Sequence, residues 1–132
     1  MTAKEYFGEV FLIDKQIAAK LSALSRLKDL AEKCTSVLSG MPGGGLSKFD
    51  DTITKMVDYE REIDEDIDRL IDVKRERQRT IEKLPNAEYR LILIKRYICG
   101  ERWEKIAVDL GYDLRHIYRI HGQALKESQN FL

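Results

Sequence analysis

The chain has 132 residues, enough for one domain or two small ones, with 23 basic and 23 acidic side chains and no net charge. That balance excludes a global basic field for nucleic acid, so any DNA affinity rests on where individual Arg and Lys residues sit. The opening MTAKEYFGEV lacks an apolar signal run and no segment approaches 18 uninterrupted apolar residues, which predicts a cytoplasmic protein with no membrane partner.

Residues 2–38 carry one long amphipathic pattern. Thr2 and Glu5 form a T-x-x-E capping box at its start. Apolar positions then recur in steps of three or four: Val10, Ile13, Ile17, Leu21, Leu24, Leu27, Leu30 or Ala31, Cys34 and Leu38. The stretch SGMPGGGLSK (39–48) reads as a loop, because Pro42 removes a donor and each glycine costs a helix about 1 kcal/mol.

A second helix is predicted from Asp50 or Asp51 to about Leu84. Its seam runs Ile53, Met56, Glu60, Ile63, Ile67, Leu70, Lys74, Arg77, Ile81 and Leu84. Matched lengths and one loop imply an antiparallel, coiled-coil-like hairpin over 1–84. Phe7, Phe11, Leu12 and Val37 on the first helix, and Val57, Ile71 and Val73 on the second, lie off the seam. Such extra apolar surface implies packing against the rest of the chain or self-association, and a homodimer through the hairpin is the expected form. Charge is polarised along the second helix, acidic over 58–68 and basic over 69–79. Solvated helix faces account for that; alternatively Lys74, Arg75, Arg77 and Arg79 extend a basic surface toward the next unit.

Leu84-Pro85-Asn86 marks a boundary at 84/85, since proline pushes the residue before it out of the helical region and suits a first turn. A third helix over about 86–99 has Leu91, Ile92, Ile94, Tyr97 and Ile98 as core candidates and ends at Cys99-Gly100. Residues 85–132 hold eight basic and six acidic side chains, so this part is mildly basic.

Two short helices then meet at a tight turn. Trp103, Ile106, Ala107 and Leu110 form one stripe, Gly111 suits a left-handed stop, and Asp113 is placed to cap the next helix. That helix buries Ile117, Ile120 and Ala124 and turns Arg115, His116, Tyr118, Arg119, Gly122 and Gln123 outward. Helix, glycine turn and helix with a basic outer side constitute a helix-turn-helix, whose second helix enters the DNA major groove.

Those residues carry a resemblance. The segment YRLILIKRYICGERWEKIAVDLGYDLRHIYRIHGQAL (Tyr89–Leu125) resembles region 4 of the sigma-70 family, which reads the −35 promoter element. The whole chain resembles the small sigma-like transcriptional regulators of phages and prophages in Gram-positive bacteria. The resemblance implies an all-α fold: the hairpin at 1–84, then a three-helix, region-4-like DNA-binding domain at 85–132, with double-stranded promoter DNA as partner and host RNA polymerase as a further one. It also implies that Leu91, Ile94 and Ile98 pack behind the helix-turn-helix. Lys105 stands where region 4 often has Glu, and Asp113 where it usually has Ser or Thr, so the details of DNA contact are not carried over.

Helix geometry selects the candidate DNA-binding residues. Arg115 and Arg119 share a face as an i, i+4 pair, and a bidentate arginine–guanine contact discriminates by about 1–3 kcal/mol. Either arginine has the alternative of pairing with Asp113 or Glu104. Leu114 suits a thymine methyl or plain packing; His116, Tyr118 and Gln123 suit phosphate or base edges. Lys95, Arg96, Arg102 and Lys105 surround the entrance as phosphate clamps. His116 and His121 read as polar surface groups and Trp103 as core.

No enzyme signature stands out. The glycines at 43–45 lack the Lys-Ser/Thr of a phosphate loop, no nucleophile–base arrangement is visible, and nothing calls for a cofactor. Cys34 and Cys99 have no metal-ligand spacing. The leading reading is therefore a phage-type transcriptional regulator. The alternatives are a small-terminase-like DNA-packaging protein, or a protein-binding scaffold without DNA affinity.

Overall fold

The computed structural model describes the backbone of residues 1–38 and 44–132, and the side chains of 1–33 and 50–132. In chain order come α1 (Ala3–Leu38), α2 (Gly44–Glu82), α3 (Ala87–Leu93), a π-helical turn (Ile94–Ile98), α4 (Trp103–Leu110), α5 (Leu114–Ser128) and a 3-10 turn (Gln129–Phe131). The fold is all-α, with no strand among the described residues.

The capping box at the start of α1 is formed: the Thr2 N–H donates to Glu5 Oε2 at 3.0 Å, and the Glu5 N–H to Thr2 Oγ1 at 3.2 Å. Of the loop expected at 39–48, residues 39–43 lie outside the described residues, and 44–48 are helical. α2 thus begins at Gly44, ahead of Asp50 and Asp51. Its two leading glycines occupy a first turn whose N–H groups have no intrahelical partner anyway. Their cost is small beside the propagation of a 39-residue helix.

The described residues divide into two compact units. One is composite, joining Met1–Ile13 to Leu70–Leu132; the other holds only the two helix segments within Asp14–Arg69. The division expected at 84/85 falls inside the composite unit.

In the two-helix unit the segments pair antiparallel. Lys20 Nζ meets Asp66 Oδ2 at 2.5 Å and Lys28 Nζ meets Glu60 Oε1 at 3.6 Å, so numbers rise on one helix as they fall on the other. Ile17, Leu24, Ala31 and Ile63 are buried. Several seam positions depart from the expected register. Leu21, Ile53 and Ile67 are exposed, Leu21 by 47%, while the carboxylate of Asp66 is turned in; of Leu30 and Ala31, Ala31 takes the buried position. Lys20 and Arg69 both reach Asp66, whose side chain is turned in while its neighbour Ile67 faces water. Glu60 lies at the rim with Lys28 rather than inside. The seam residues Cys34 and Leu38, and the off-seam Val37, lie outside the described side chains.

The composite unit has two apolar clusters. In the first, Ala3 and Phe7 of α1 meet Ile81, Leu84, Leu93, Tyr97 and Ala124. Phe7, expected off the seam, is fully buried, because the ends of α1 and α2 have the C-terminal helices to pack against as well as each other. The second cluster comprises Ile92, Ile106, Ala107, Ile117 and Ile120. α3 serves both: Leu93 points into the first cluster and Ile92 into the second. Leu91, expected inside, is exposed in consequence.

Arg77 is the buried charge of this unit. It pairs with Glu9 and with Glu76, the latter at 3.1 Å, donates to the Tyr6 carbonyl at 3.0 Å, and lies 3.9 Å from the centre of the Tyr6 ring. A guanidinium so fully partnered holds α1 to α2 and contributes nothing to a basic surface.

Candidate nucleic-acid interface

The turn between α4 and α5 is built from the residues the sequence singles out. Gly111 adopts φ +71°, and the Tyr112 N–H donates to the Ala107 carbonyl at 3.0 Å, closing α4 with a bond back across the left-handed residue. Asp113, extended in backbone, accepts from the His116 N–H at 2.7 Å and starts α5. Upstream, Asn86 caps α3 by accepting from the Glu88 and Tyr89 N–H groups, so Pro85 precedes the cap rather than entering the first turn. The helix then widens into a π turn, with the Cys99 N–H bonded to the Ile94 carbonyl at 2.9 Å, before Gly100 (φ +68°) ends it. The extra residue in that turn sets Tyr97 against the first cluster and sends Arg96 toward Phe11 and Trp103.

The inner side of α5 is closed: Ile117, Ile120, Ala124 and Ser128 are buried. Its outer side is open. Arg115, Arg119 and Gln123 are exposed, Tyr118 is 49% exposed and Leu114 37%. Among the described residues neither Arg115 nor Arg119 has a carboxylate partner, so the alternative pairing with Asp113 or Glu104 does not occur. Arg119 instead donates to His116 Nδ1 at 2.7 Å. The His116 ring stands edge-on to Tyr112, with centroids 4.5 Å apart. Together Asp113, Arg115, His116 and Arg119 line a shallow depression of about 410 Å³. His116 is thus half-buried and orients Arg119. Tyr112, which props it, escaped the sequence reading, because it lies ahead of the Asp113 cap, where helical i, i+4 spacing does not apply.

The four clamp candidates are placed differently from one another. Lys95 is held by Glu101 at 3.5 Å and Asp109 at 3.4 Å, and Lys105 by Glu101 at 3.3 Å. These form one network in which Glu101 balances two lysines. Arg96 lies 4.6 Å from the centre of the Trp103 ring and 4.9 Å from that of Phe11, and donates to the Glu101 carbonyl at 3.0 Å. Arg102 precedes α4 on the surface, with no partner among the described residues. The structure brings Arg115, His116 and Arg119 together. Gln123 sits further along α5, accepting from the Tyr89 hydroxyl at 3.2 Å.

His121 departs from its expected surface role. Its Nε2 meets the Tyr97 hydroxyl at 2.7 Å and its ring packs on Trp103, centroids 4.5 Å apart. Burial, with the nearby charges of Arg96 and Lys4, pushes its pKa down to about 4, so the ring is neutral at pH 7. Burial likewise raises the Tyr97 phenol to about 12. Among the described residues no cluster of His, Cys, Asp or Glu has the arrangement of a metal site, and no helix is long and apolar enough to cross a membrane.

A family model described as a protein of unknown function (DUF1492) matches residues 32–129. No curated protein and no solved structure matches the chain.

Proposed function

This chain belongs to the DUF1492 family, and we propose that it is a sequence-specific DNA-binding transcriptional regulator whose α5 enters the major groove. One observation carries the reading. Arg115 and Arg119 project one helical turn apart from a helix packed on its other side, and no acidic group among the described residues neutralises either. Two such guanidinium groups on a rigid element have the reach and the donors for guanine edges or phosphates. The resemblance of Tyr89–Leu125 to sigma region 4 supports the same reading and adds host RNA polymerase as a partner.

The exposed Leu21, Ile53, Val57 and Ile67 of the two-helix unit support a homodimer, which would raise the affinity of a weakly basic reading unit by presenting two copies to two half-sites. The cytoplasm is the compartment this function requires.

The deciding experiment selects bound fragments from a random duplex pool at low salt while oligomeric mass is measured by light scattering. A recovered motif with a dimer supports regulation. A ring of eight or more copies supports a packaging protein instead. No enrichment and no retention at low salt would leave a protein-binding scaffold.

A further inference from the structure

A cavity of about 370 Å³ opens on the composite unit where the first turns of α1 meet the π turn, α4 and α5. Phe11, Trp103, Tyr118 and His121 give it aromatic walls, and its charged lining groups are Lys4 and Arg96 alone. No carboxylate lines it. Among the described residues neither Lys4 nor Arg96 has an acidic partner, and the Trp103 indole N–H has no acceptor. Arg96 uses one N–H on the Glu101 carbonyl and its ring-facing surface on Phe11 and Trp103, leaving further N–H groups unused. The site is therefore rich in donors and lacks an anionic acceptor, its hydroxyl and imidazole groups being neutral. His121 at its edge is held neutral by burial first, and by the charges of Arg96 and Lys4 second. A half-buried cation without a counter-ion, as Arg96 is, is costly, and an anion entering the cavity removes that cost while drawing in the exposed Lys4.

We propose that this cavity binds a phosphate group, with Lys4 and Arg96 as its charge partners and the Trp103 indole as a neutral donor. Tyr118 lines the cavity and also flanks the outward side of α5, so a duplex lying on that side would bring its phosphodiester backbone to the opening. That source rests on the DNA-binding reading above; a free phosphorylated small molecule has the same chemistry and does not. Lys4 lies in the helix that the sequence assigns to oligomerisation, more than a hundred positions from α5, so nothing in the linear pattern links the two. Gly8 also faces the opening, with no atom within 4 Å of where its Cβ would be. A glycine at a helical position keeps that mouth clear at some expense in helix propensity.

Trp103 is the only tryptophan and reports directly on the site. Its fluorescence is followed as the full-length protein is titrated with inorganic phosphate, against chloride at matched ionic strength. A saturable change specific to phosphate is expected. Lys4→Glu should weaken it at least about tenfold, the effect of one charge-assisted hydrogen bond. Gly8→Leu, which alters no charge and fills the opening, should abolish it, with circular dichroism confirming that both variants keep their helicity. No response beyond that to chloride, or one unchanged in both variants, overturns the proposal. A duplex arm then identifies the source. If the site takes the DNA backbone, Lys4→Ala lowers the salt slope of duplex binding by about one and phosphate competes with the duplex. An unchanged slope with the fluorescence response intact assigns a free phosphorylated ligand. Should the protein bind no DNA at all, the phosphate titration still decides the cavity.

Discussion

The two compact units solve the same problem, two paired helices, by different means. In the composite unit the helix ends are capped and clamped: Phe7 is fully buried between helices distant in sequence, and Arg77 meets two carboxylates and a ring. In the two-helix unit a pair of stripes covers itself only in part, leaving Leu21, Ile53, Val57 and Ile67 in water while Asp66 is turned inward. The difference teaches that a third layer, rather than the quality of the heptad pattern, decides which apolar residues are buried. Where α3 and α5 supply that layer, even an off-seam phenylalanine becomes core. Where nothing supplies it, the facing helix covers Ile17 and Ile63 but leaves Ile53 and Ile67 exposed.

The sharpest way to break this contrast is to remove the side chain on which the composite core depends. Phe7→Ala deletes a fully buried ring packed against Tyr97, with centroids 5.3 Å apart, and should destabilise the protein by about 3–5 kcal/mol. Denaturant unfolding measures this. A cost below about 1 kcal/mol would mean that the first turns of α1 are not part of the C-terminal core.

Arg119→Ala probes the outward side of the same unit without touching its interior. Sequence preference should fall by about 1–3 kcal/mol, the discrimination of one bidentate arginine–base pair. Competition between the selected duplex and scrambled DNA reads this, and helicity and oligomeric mass should stay unchanged. Lys105→Ala is the companion. Glu101 already holds that lysine, so its removal should weaken all duplexes slightly and alike. Equal effects of the two variants on preference would show that the reading face lies elsewhere.

In the two-helix unit, Asp66→Leu should cost less than about 1 kcal/mol, or stabilise, in the same unfolding assay. The Asp66 side chain is only 12% exposed, but Lys20 keeps 35% of its side chain in solvent and can turn outward once its partner is gone. Buried ion pairs replaced by apolar groups often come out neutral because desolvation opposes the attraction. A loss as large as that of Phe7→Ala would make Asp66 the organising residue of its unit and erase the contrast.

Local signals were legible in the chain because they depend on neighbours in sequence. The capping box at Thr2 and Glu5, the left-handed Gly111, the Asp113 cap and the inward Ile117 and Ile120 follow from short-range geometry. Features set by long-range packing were not. Phe7 has no periodic advantage over Leu12, yet one is fully buried and the other exposed, because only Phe7 faces the C-terminal helices. The π turn has no composition of its own, so the redirection of Arg96 onto Trp103 and Phe11 was invisible, and with it the cavity that Lys4 shares. The network joining Lys95 and Lys105 to Glu101 was hidden for the same reason: charge spacing along a helix does not say which lysines find a carboxylate from the next turn or the next helix.

The mildest test concerns His121, where the composite unit holds a titratable ring against Tyr97 and Trp103. Its pKa is lowered by burial to about 4 in the folded protein, against 6.5 for the free side chain. The unfolded chain therefore takes up a proton that the folded one refuses as pH falls below about 6.5. Stability from this group is fully present above that value and declines toward pH 4, with no further change below. The effect is modest because the ring keeps contact with solvent. The informative quantity is the difference between proteins. His121→Gln keeps a hydrogen-bonding group for the Tyr97 hydroxyl and removes the titration, so its unfolding midpoint should fall less steeply than the parent's between pH 6.5 and 4. Parallel curves for the two would show that the imidazole is as free to protonate in the fold as outside it, and that the aromatic wall around it is open to water.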